Sequence, residues 1–232
     1  MGGPGLVALG AAAFVGTHLL MSHPLRRPLV AVLGEKGFSG LYSLVAAATL
    51  GLTIWAYARA PVGTPLWAVG QGLWVVATVL MLLASVLLAG SVTGNPALSG
   101  PGRMMRVPAE ARGVFAVTRH PMLWSFAIWG ISHALVWPVG KNLVLAGAMA
   151  GLSLVGAAGQ DRKKRRLDPS GWPVWEGRTG YWPFAAVLAG QARLHGFGGL
   201  ALGGGVVVWL AATWVHIPLA GWRAGIWRWI GF

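Results

Sequence analysis

Two histidines stand inside long apolar stretches of this chain, and they are the side chains best suited to chemistry within a membrane. His18 lies near the end of the first apolar stretch, and His133 lies deep in the fourth. An ionisable side chain is costly to bury in a bilayer, so it marks a functional site by default. Two neutral imidazoles without an acidic partner suit axial ligation of a haem iron. The structural alternative for each ring is a hydrogen bond to a backbone carbonyl of another helix.

A second group of candidates opens the fourth apolar stretch, in the motif Thr118-Arg119-His120-Pro121. Pro121 suits the first turn of a helix, where its missing N–H costs little. Together with the N-terminus of that helix, Arg119 forms a positive pole at the membrane surface. A haem propionate, a lipid phosphate or the carboxylate of a methyl-donor cofactor fits such a pole, so Arg119 and His120 are predicted to bind a cofactor. A plain helix start with an arginine reaching the interface is the structural alternative.

Helical spacing separates the two histidines of this stretch. His120 and His133 are thirteen residues apart, which is about 20 Å along a straight helix and places them on nearly opposite faces. The two rings therefore cannot serve one small site. Phe126 and Trp129 share the face of His133 and form an apolar wall suited to a flat macrocycle. Trp129 is therefore a further cofactor-binding candidate.

The composition requires a membrane around most of these residues. Of the 232 residues, 56% are hydrophobic and 10% are charged, whereas soluble domains carry about 25% charged residues. The apolar content and 14 tryptophans exclude a disordered chain. The absence of cysteine excludes disulfides, thiolate metal sites and cysteine nucleophiles. The net charge of +13 does not indicate nucleic-acid binding, because the basic residues punctuate apolar runs and form no single face.

Six stretches approach the length of about 20 apolar residues that a transmembrane helix needs. The predicted spans are residues 5–21, 41–57, 66–89, 117–137, 143–159 and 197–215. The sequence therefore predicts an all-α, polytopic integral membrane protein. One transmembrane domain, residues 1–232, would hold about six helices in a bundle within the lipid bilayer. Runs of small residues such as the glycines at 203–205 favour close helix packing.

Lysine and arginine are distributed unevenly around these spans. Segments 22–40, 90–119 and 160–196 hold fourteen of them, and the opposite side holds four. The positive-inside rule then predicts a multi-pass protein with three basic loops in the cytoplasm and both termini on the opposite side of the membrane. The run at 162–166 is interpreted as an orientation and lipid-headgroup signal, because basic residues near anionic lipid contribute roughly 1 kcal/mol each. The other nine of these fourteen residues are Arg26, Arg27, Lys36, Arg103, Arg106, Arg112, Arg119, Arg178 and Arg193.

Several segments resemble the NnrU family of bacterial membrane proteins, which is related to the plant 15-cis-ζ-carotene isomerase. They are residues 14–18, 34–38 and 42–44, then 118–124 with Trp129 and His133, and finally 161–162 and 179–184. The resemblance covers most of the chain and is most specific between residues 118 and 133.

The resemblance implies a haem b protein in which His18 and His133 look like the two metal ligands. It further implies cis–trans isomerisation of an apolar carotenoid or isoprenoid-type substrate, or a redox role linked to the nitrogen-oxide respiration for which the family is named. The plant enzyme has a cysteine three residues before the second histidine, and Gly130 stands there in this chain. A thiolate ligand exchange is therefore impossible here.

Two other functions stay open. The Arg-His-Pro start of a span, the basic segment and the aromatic-proline segment also resemble S-adenosylmethionine-dependent membrane methyltransferases, in which Arg119, His120 and Glu176 would hold the cofactor. The third function is a non-catalytic accessory subunit, whose small-residue faces and tryptophan-rich end at 222–232 would dock a membrane protein partner. The remaining histidines are interpreted as interface residues without a catalytic role: His23, His195 and His216.

Overall fold

The structure is a computed structural model that describes residues 3–98 and 107–230, so the predicted cytoplasmic Arg103 and Arg106 lie outside it. All regular secondary structure in these two ranges is helical. The helices are α1 (Pro4–Ser22), α2 (Arg26–Arg59), α3 (Gln71–Ser91), α4 (Val114–Val117), α5 (Pro121–Val136), α6 (Gly140–Leu167), α7 (Gly171–Arg178), α8 (Ala185–Leu188) and α9 (Gly199–Ala220). Two 3-10 turns cover Pro96–Leu98 and Gly225–Arg228.

Five of these helices are long and apolar enough to cross a membrane, namely α1, α2, α3, α6 and α9. The predicted all-helical membrane bundle is therefore confirmed. The fourth predicted span is the shorter helix α5, with 16 residues. At 1.5 Å per residue α5 is about 24 Å long, which is less than the roughly 30 Å of a bilayer core. It is shorter than predicted because Thr118 and His120 have extended or irregular backbone angles.

Pro121 occupies the first turn of α5, as its residue type predicts. The third predicted span also begins later than expected, at Gln71. Its first residues bind to the α5–α6 connection: the N–H of Leu66 donates to the carbonyl of Pro138 at 2.9 Å, and Trp67 Nε1 donates to the carbonyl of Leu135 at 3.1 Å. These bonds to another segment replace the helical ones.

Gly34 divides α2 into two parts. Its φ of 69° and ψ of 171° are strained for a residue with a Cβ and accessible to glycine. The second part contains the predicted span 41–57. Across this division, Arg26 of the first part forms an ion pair with Glu35 of the second, with 2.9 Å between NH2 and Oε2.

The long helices pack in a series in which each contacts the next: α2, α1, α6, α5, α3 and α9. Glycines lie at three of these contacts. A Cβ on Gly10 would lie 3.0 Å from Thr53 Cα, one on Gly130 would lie 2.5 Å from the carbonyl oxygen of Ala146, and one on Gly205 would lie 2.6 Å from Val86 Cα. Small residues therefore set the helix separations, as they do in many membrane proteins.

We expect Gly205→Ala to lower the free energy of unfolding by about 1–3 kcal/mol, because the added methyl group meets the α3 backbone, which cannot move aside. Gly203→Ala is the matched control, since a Cβ there has nothing within 4 Å. Both glycines lie on α9, so helix propensity changes equally in the two variants. Denaturant titration in mixed micelles measures the difference. Equal stability of the two variants would contradict the close α3–α9 contact.

Candidate functional site

The ring of His133 is fixed by the helix that carries it. Its Nδ1 lies 2.8 Å from the carbonyl oxygen of Trp129, one turn earlier, and the imidazole stacks on the Trp129 indole with 4.1 Å between ring centres. The carbonyl of His133 accepts a hydrogen bond of 2.9 Å from Asn142 Nδ2, which ties the end of α5 to α6. Because Nδ1–H donates to a carbonyl, Nε2 carries the lone pair that a metal ion requires.

His133 lines an apolar cavity of about 110 Å³ between α3, α5, α9 and the C-terminal segment. A cavity of about 10–15 Å³ already holds one water molecule, so this one is large enough for part of an organic ligand. Three buried polar atoms of lining residues, Thr78 Oγ1, Ser132 Oγ and Trp209 Nε1, have no hydrogen-bond partner within the described residues. Buried polar groups are normally paired, so these atoms favour an occupant that carries hydrogen-bond acceptors.

His216 of α9 lines the same cavity. Its ring centre is 6.0 Å from that of His133, and the two ring planes are inclined by 34°. Its Nδ1 lies 2.7 Å from the carbonyl oxygen of Ala212, one turn earlier. The sequence alone indicates an interface residue without a catalytic role at position 216, whereas the structure places His216 beside His133.

His18 lies elsewhere in the bundle. Its Nδ1 is 2.8 Å from the carbonyl oxygen of Phe14, and its ring contacts Phe14 and Tyr42, with centres 4.2 and 5.3 Å away. It does not line the cavity of His133. The structure therefore does not bring the two predicted metal ligands, His18 and His133, into one cavity. The rings of His18 and His133 are each hydrogen-bonded to a carbonyl of their own helix. The structural alternative predicted a hydrogen bond to a carbonyl of another helix.

Arg119 and His120 form a separate cluster at the other end of α5, as the helical spacing requires. Asp161 of α6 binds both: His120 Nε2 lies 2.7 Å from Asp161 Oδ1, and Arg119 NH2 lies 2.7 Å from Oδ2. His120 Nδ1 is 3.1 Å from Gln160 Oε1, and Arg119 NH1 donates to the carbonyl of Thr179 at 3.2 Å. The positive pole that the sequence assigned to a cofactor anion is thus occupied by a carboxylate of the chain itself.

Glu176 of α7 completes this cluster. Its Oε1 lies 3.8 Å from Arg119 NH2 and accepts a hydrogen bond of 3.1 Å from Trp172 Nε1, while its Oε2 lies 2.7 Å from Arg165 Nε. The three residues of the methyltransferase alternative, Arg119, His120 and Glu176, therefore come together. Their charges are already compensated by Asp161 and Arg165, so the cluster is built as an internal ion-pair network.

The segment at 179–184 docks onto the extended residues before α5. The N–H of Arg119 donates to the carbonyl of Gly180 at 2.8 Å, and Thr118 Oγ1 donates to that of Tyr181 at 2.8 Å. The Tyr181 hydroxyl donates to the carbonyl of Leu154 at 2.6 Å. Burial and then the negative charge of Asp161 raise the pKa of Tyr181, so the hydroxyl keeps its proton. These bonds hold two of the segments that carry the family resemblance, 118–124 and 179–184, against each other.

The other two histidines lie at the end of the bundle that carries segments 22–40 and 160–196, which are rich in lysine and arginine and are here called the basic end. His23 directly follows α1 and packs against Gly159. Burial, followed by the charges of Lys163 and Arg162, lowers the pKa of the His23 ring, which favours its neutral form. His195 lines a wide, open depression next to the start of α9.

Residues 3–98 and 107–230 contain no group of three or more His, Asp or Glu side chains that could hold a metal ion. The iron of a haem already has ligands from the cofactor itself, so two imidazoles are enough to bind it. The pair that the structure assembles is His133 with His216.

Sequence reasoning missed two residues of these sites. Asp161 was missed because the predicted fifth span ends at residue 159, whereas α6 continues to Leu167. The continued helix brings its carboxylate to Arg119 and His120. His216 was missed because its position near the end of a span fits an interface residue equally well. One signal was present for both: each lies within two residues of the end of a predicted span, at 159 for Asp161 and at 215 for His216.

A series of membrane-length helices with an apolar cavity lined by two imidazoles defines a helical integral membrane protein with an intramembrane cavity. The chain belongs to the NnrU family, because the family model described as NnrU protein matches residues 6–224. It is also similar to the chloroplastic 15-cis-zeta-carotene isomerase of Zea mays, with 32% identity over 84 residues. The matched stretch covers 35% of this chain and 22% of the maize protein, about a fifth of its length. No solved structure matches the chain.

Proposed function

We propose that this protein is an intramembrane isomerase that converts a cis double bond of an apolar polyene to trans, with haem b bound through His133. The observation that carries the proposal is the cavity of His133. The Nδ1 of this imidazole is hydrogen-bonded to the carbonyl of Trp129, and the ring lies in the apolar wall of a cavity between membrane helices. The partial similarity to a plant carotenoid isomerase supports the same chemistry. Isomerisation changes neither the atoms nor the electron count of the substrate, so no second substrate is needed.

Several side chains around the cavity carry groups that could hold a haem. His133 would bind the iron through the lone pair on Nε2, and the stacked Trp129 keeps the imidazole in one orientation. The unpartnered hydroxyl and indole donors of Thr78, Ser132 and Trp209 suit acceptor oxygens such as those of propionates. The enclosed volume of about 110 Å³ is smaller than a porphyrin, so the enclosed lining would hold only part of a haem.

Each element of the cavity has a defined task in this proposal. When bound, the haem supplies an iron that can polarise a double bond. The apolar side chains, among them Ala77, Met81 and Val136, exclude water and admit a hydrocarbon chain from the bilayer. Trp129 and Trp209 offer flat faces against which a conjugated chain packs. The Asn142 bonds to the carbonyls of His133 and Trp137, at 2.9 and 2.7 Å, keep the site rigid.

We further infer that the basic end of the bundle faces the cytoplasm of a bacterial cell. The fourteen-to-four distribution of lysine and arginine supports this orientation. His133 and His216 both lie near the C-terminal ends of helices that run away from the basic end, so the cavity would lie in the periplasmic half of the membrane.

Conversion of a polyene with one cis double bond by the purified protein in lipid nanodiscs tests the proposal. We expect the wild type to convert it and His133→Ala to fall to the background rate, because the substitution removes the ligand of the iron. Ser153→Ala is the matched control, since Ser153 is also a buried intramembrane residue whose side chain binds the carbonyl four residues earlier, at 2.7 Å. It should retain wild-type turnover. Equal turnover of His133→Ala and the wild type, measured by chromatography of the isomers, would contradict the proposal.

A further inference from the structure

Basic side chains from two parts of the fold meet where α1 ends. His23, directly after α1, packs against Gly159 of α6. Arg162 and Lys163 follow Gly159 by three and four residues, and residues at this spacing lie on one face of a helix. Both cations therefore lie on the face of α6 that meets the connection between α1 and α2, and the charges of both act on the His23 ring.

Arg26 joins these cations from the first turn of α2. Its guanidinium holds Glu35 through two hydrogen bonds, at 3.3 and 2.9 Å, and lies 5.1 Å from the centre of the Phe38 ring. Lys163 is repelled by Arg26 and by its neighbour Lys164, and it is attracted by Glu35. The positive charges of α2 and α6 are therefore close enough to act on each other.

The side chains of Arg26, Arg162 and Lys163, here called the α1–α2 basic site, carry more charge than their surroundings compensate. Glu35 attracts Lys163 but is already bound by Arg26. Lys163 is only partly exposed, and it forms no hydrogen bond or ion pair with the residues that the structure describes. Like charges held together repel each other, so an anion between them would stabilise the site.

The α1–α2 basic site lies at the depth of the lipid headgroups. Arg162 and Lys163 are three and four residues beyond the predicted span end at 159, which is about 4–6 Å further along the helix. The headgroup layer is roughly 5–8 Å thick on each side of the bilayer core. The same part of α2 as Arg26 exposes two apolar side chains, Val32 at 82% and Leu33 at 43%, which suit contact with acyl chains.

We propose that the α1–α2 basic site binds the phosphate group of an anionic phospholipid. Arg26, Arg162 and Lys163 would donate charge-assisted hydrogen bonds to its oxygens. A zwitterionic lipid would bind less tightly, because its headgroup brings a cation of its own and leaves the excess positive charge unbalanced. None of the three residues lines the cavity of His133, so the proposal is independent of the haem.

Native mass spectrometry of the purified protein, released from detergent micelles with added dioleoyl phosphatidylglycerol, measures the affinity for the first bound lipid. The wild type should bind this lipid more tightly than dioleoyl phosphatidylcholine. Lys163→Gln should weaken the binding of phosphatidylglycerol about fivefold, the typical contribution of one basic residue beside anionic lipid, whereas Lys163→Arg should retain it. Arg162→Gln, with the same expected loss, is the second variant in case Lys163→Gln does not fold.

Arg193→Gln is the matched control for Lys163→Gln. Arg193 is an exposed cation of the same basic end and lies outside the α1–α2 basic site, so its loss should leave the affinity for the first lipid unchanged. Equal weakening by the two variants would overturn the proposal, because it would show an effect of total surface charge and no site. Equal affinity for the two lipids would also overturn it, as would displacement of phosphatidylglycerol by an equal concentration of inorganic phosphate.

Discussion

Asp161→Asn should destabilise the protein by about 3–5 kcal/mol, the typical effect of leaving a buried charge without its partner. Asp161 is 6% exposed and Arg119 is 10% exposed, so water cannot replace the lost carboxylate. Apart from the neutral amide of the new asparagine, the guanidinium would keep the more distant Glu176 at 3.8 Å, the carbonyl of Thr179 and the face of Tyr181. His120 would lose its hydrogen bond of 2.7 Å to the same carboxylate. The measurement is the free energy of unfolding in mixed micelles.

Glu110→Gln is the matched control for Asp161→Asn. Glu110 also pairs with an arginine, Arg112, at 2.9 Å, but both side chains are exposed, at 64% and 78%. Exposed ion pairs contribute about 0–1 kcal/mol, so this change should be nearly neutral. The double variant Arg119→Met with Asp161→Leu removes both charges and should recover much of the loss. An Asp161→Asn protein as stable as Glu110→Gln would show that the cluster does not hold the basic end together.

Ala77→Phe should abolish isomerisation while the protein stays folded. Ala77 is 5% exposed and lines the cavity of His133, so the larger ring would fill the space proposed for the haem and the polyene. Overpacking of this kind costs about 1–3 kcal/mol of stability, which a folded bundle tolerates. Isomer chromatography measures turnover, and circular dichroism checks the helix content.

Val79→Phe is the control for Ala77→Phe. Val79 lies two residues further along α3 and is 61% exposed, so its side chain points away from the cavity. The same added volume there should leave turnover unchanged. Turnover that falls equally in both variants, or in neither, would contradict the assignment of the site to this cavity.

The apolar stretches predict the helices well because transmembrane helices follow directly from length and hydropathy. The predicted span ends were less accurate where tertiary bonds compete with the helix. Leu66 and Trp67 bind the end of α5 and the α5–α6 connection, and Thr118 binds the segment at 179–184. Neither partner is close in sequence, so no local pattern reveals them.

The same limit applies to the candidate site residues: a property of one helix can be predicted, whereas contacts between helices cannot. Spacing alone correctly separates His120 from His133, because it depends only on one helix. The partners of each depend on packing between helices: Asp161 of α6 for His120, and His216 of α9 for His133. The cofactor-binding roles of His18, Arg119, His120 and Trp129 stay predictions from the sequence. Of these, Trp129 has the strongest structural support, because it contacts His133 directly.

The absorption spectrum of the purified protein after addition of haem shows whether His133 binds the cofactor. We expect a Soret band in the wild type and in Ser153→Ala, and its loss in His133→Ala. A wild-type protein without a Soret band, or a His133→Ala protein whose band equals that of the wild type, would contradict it.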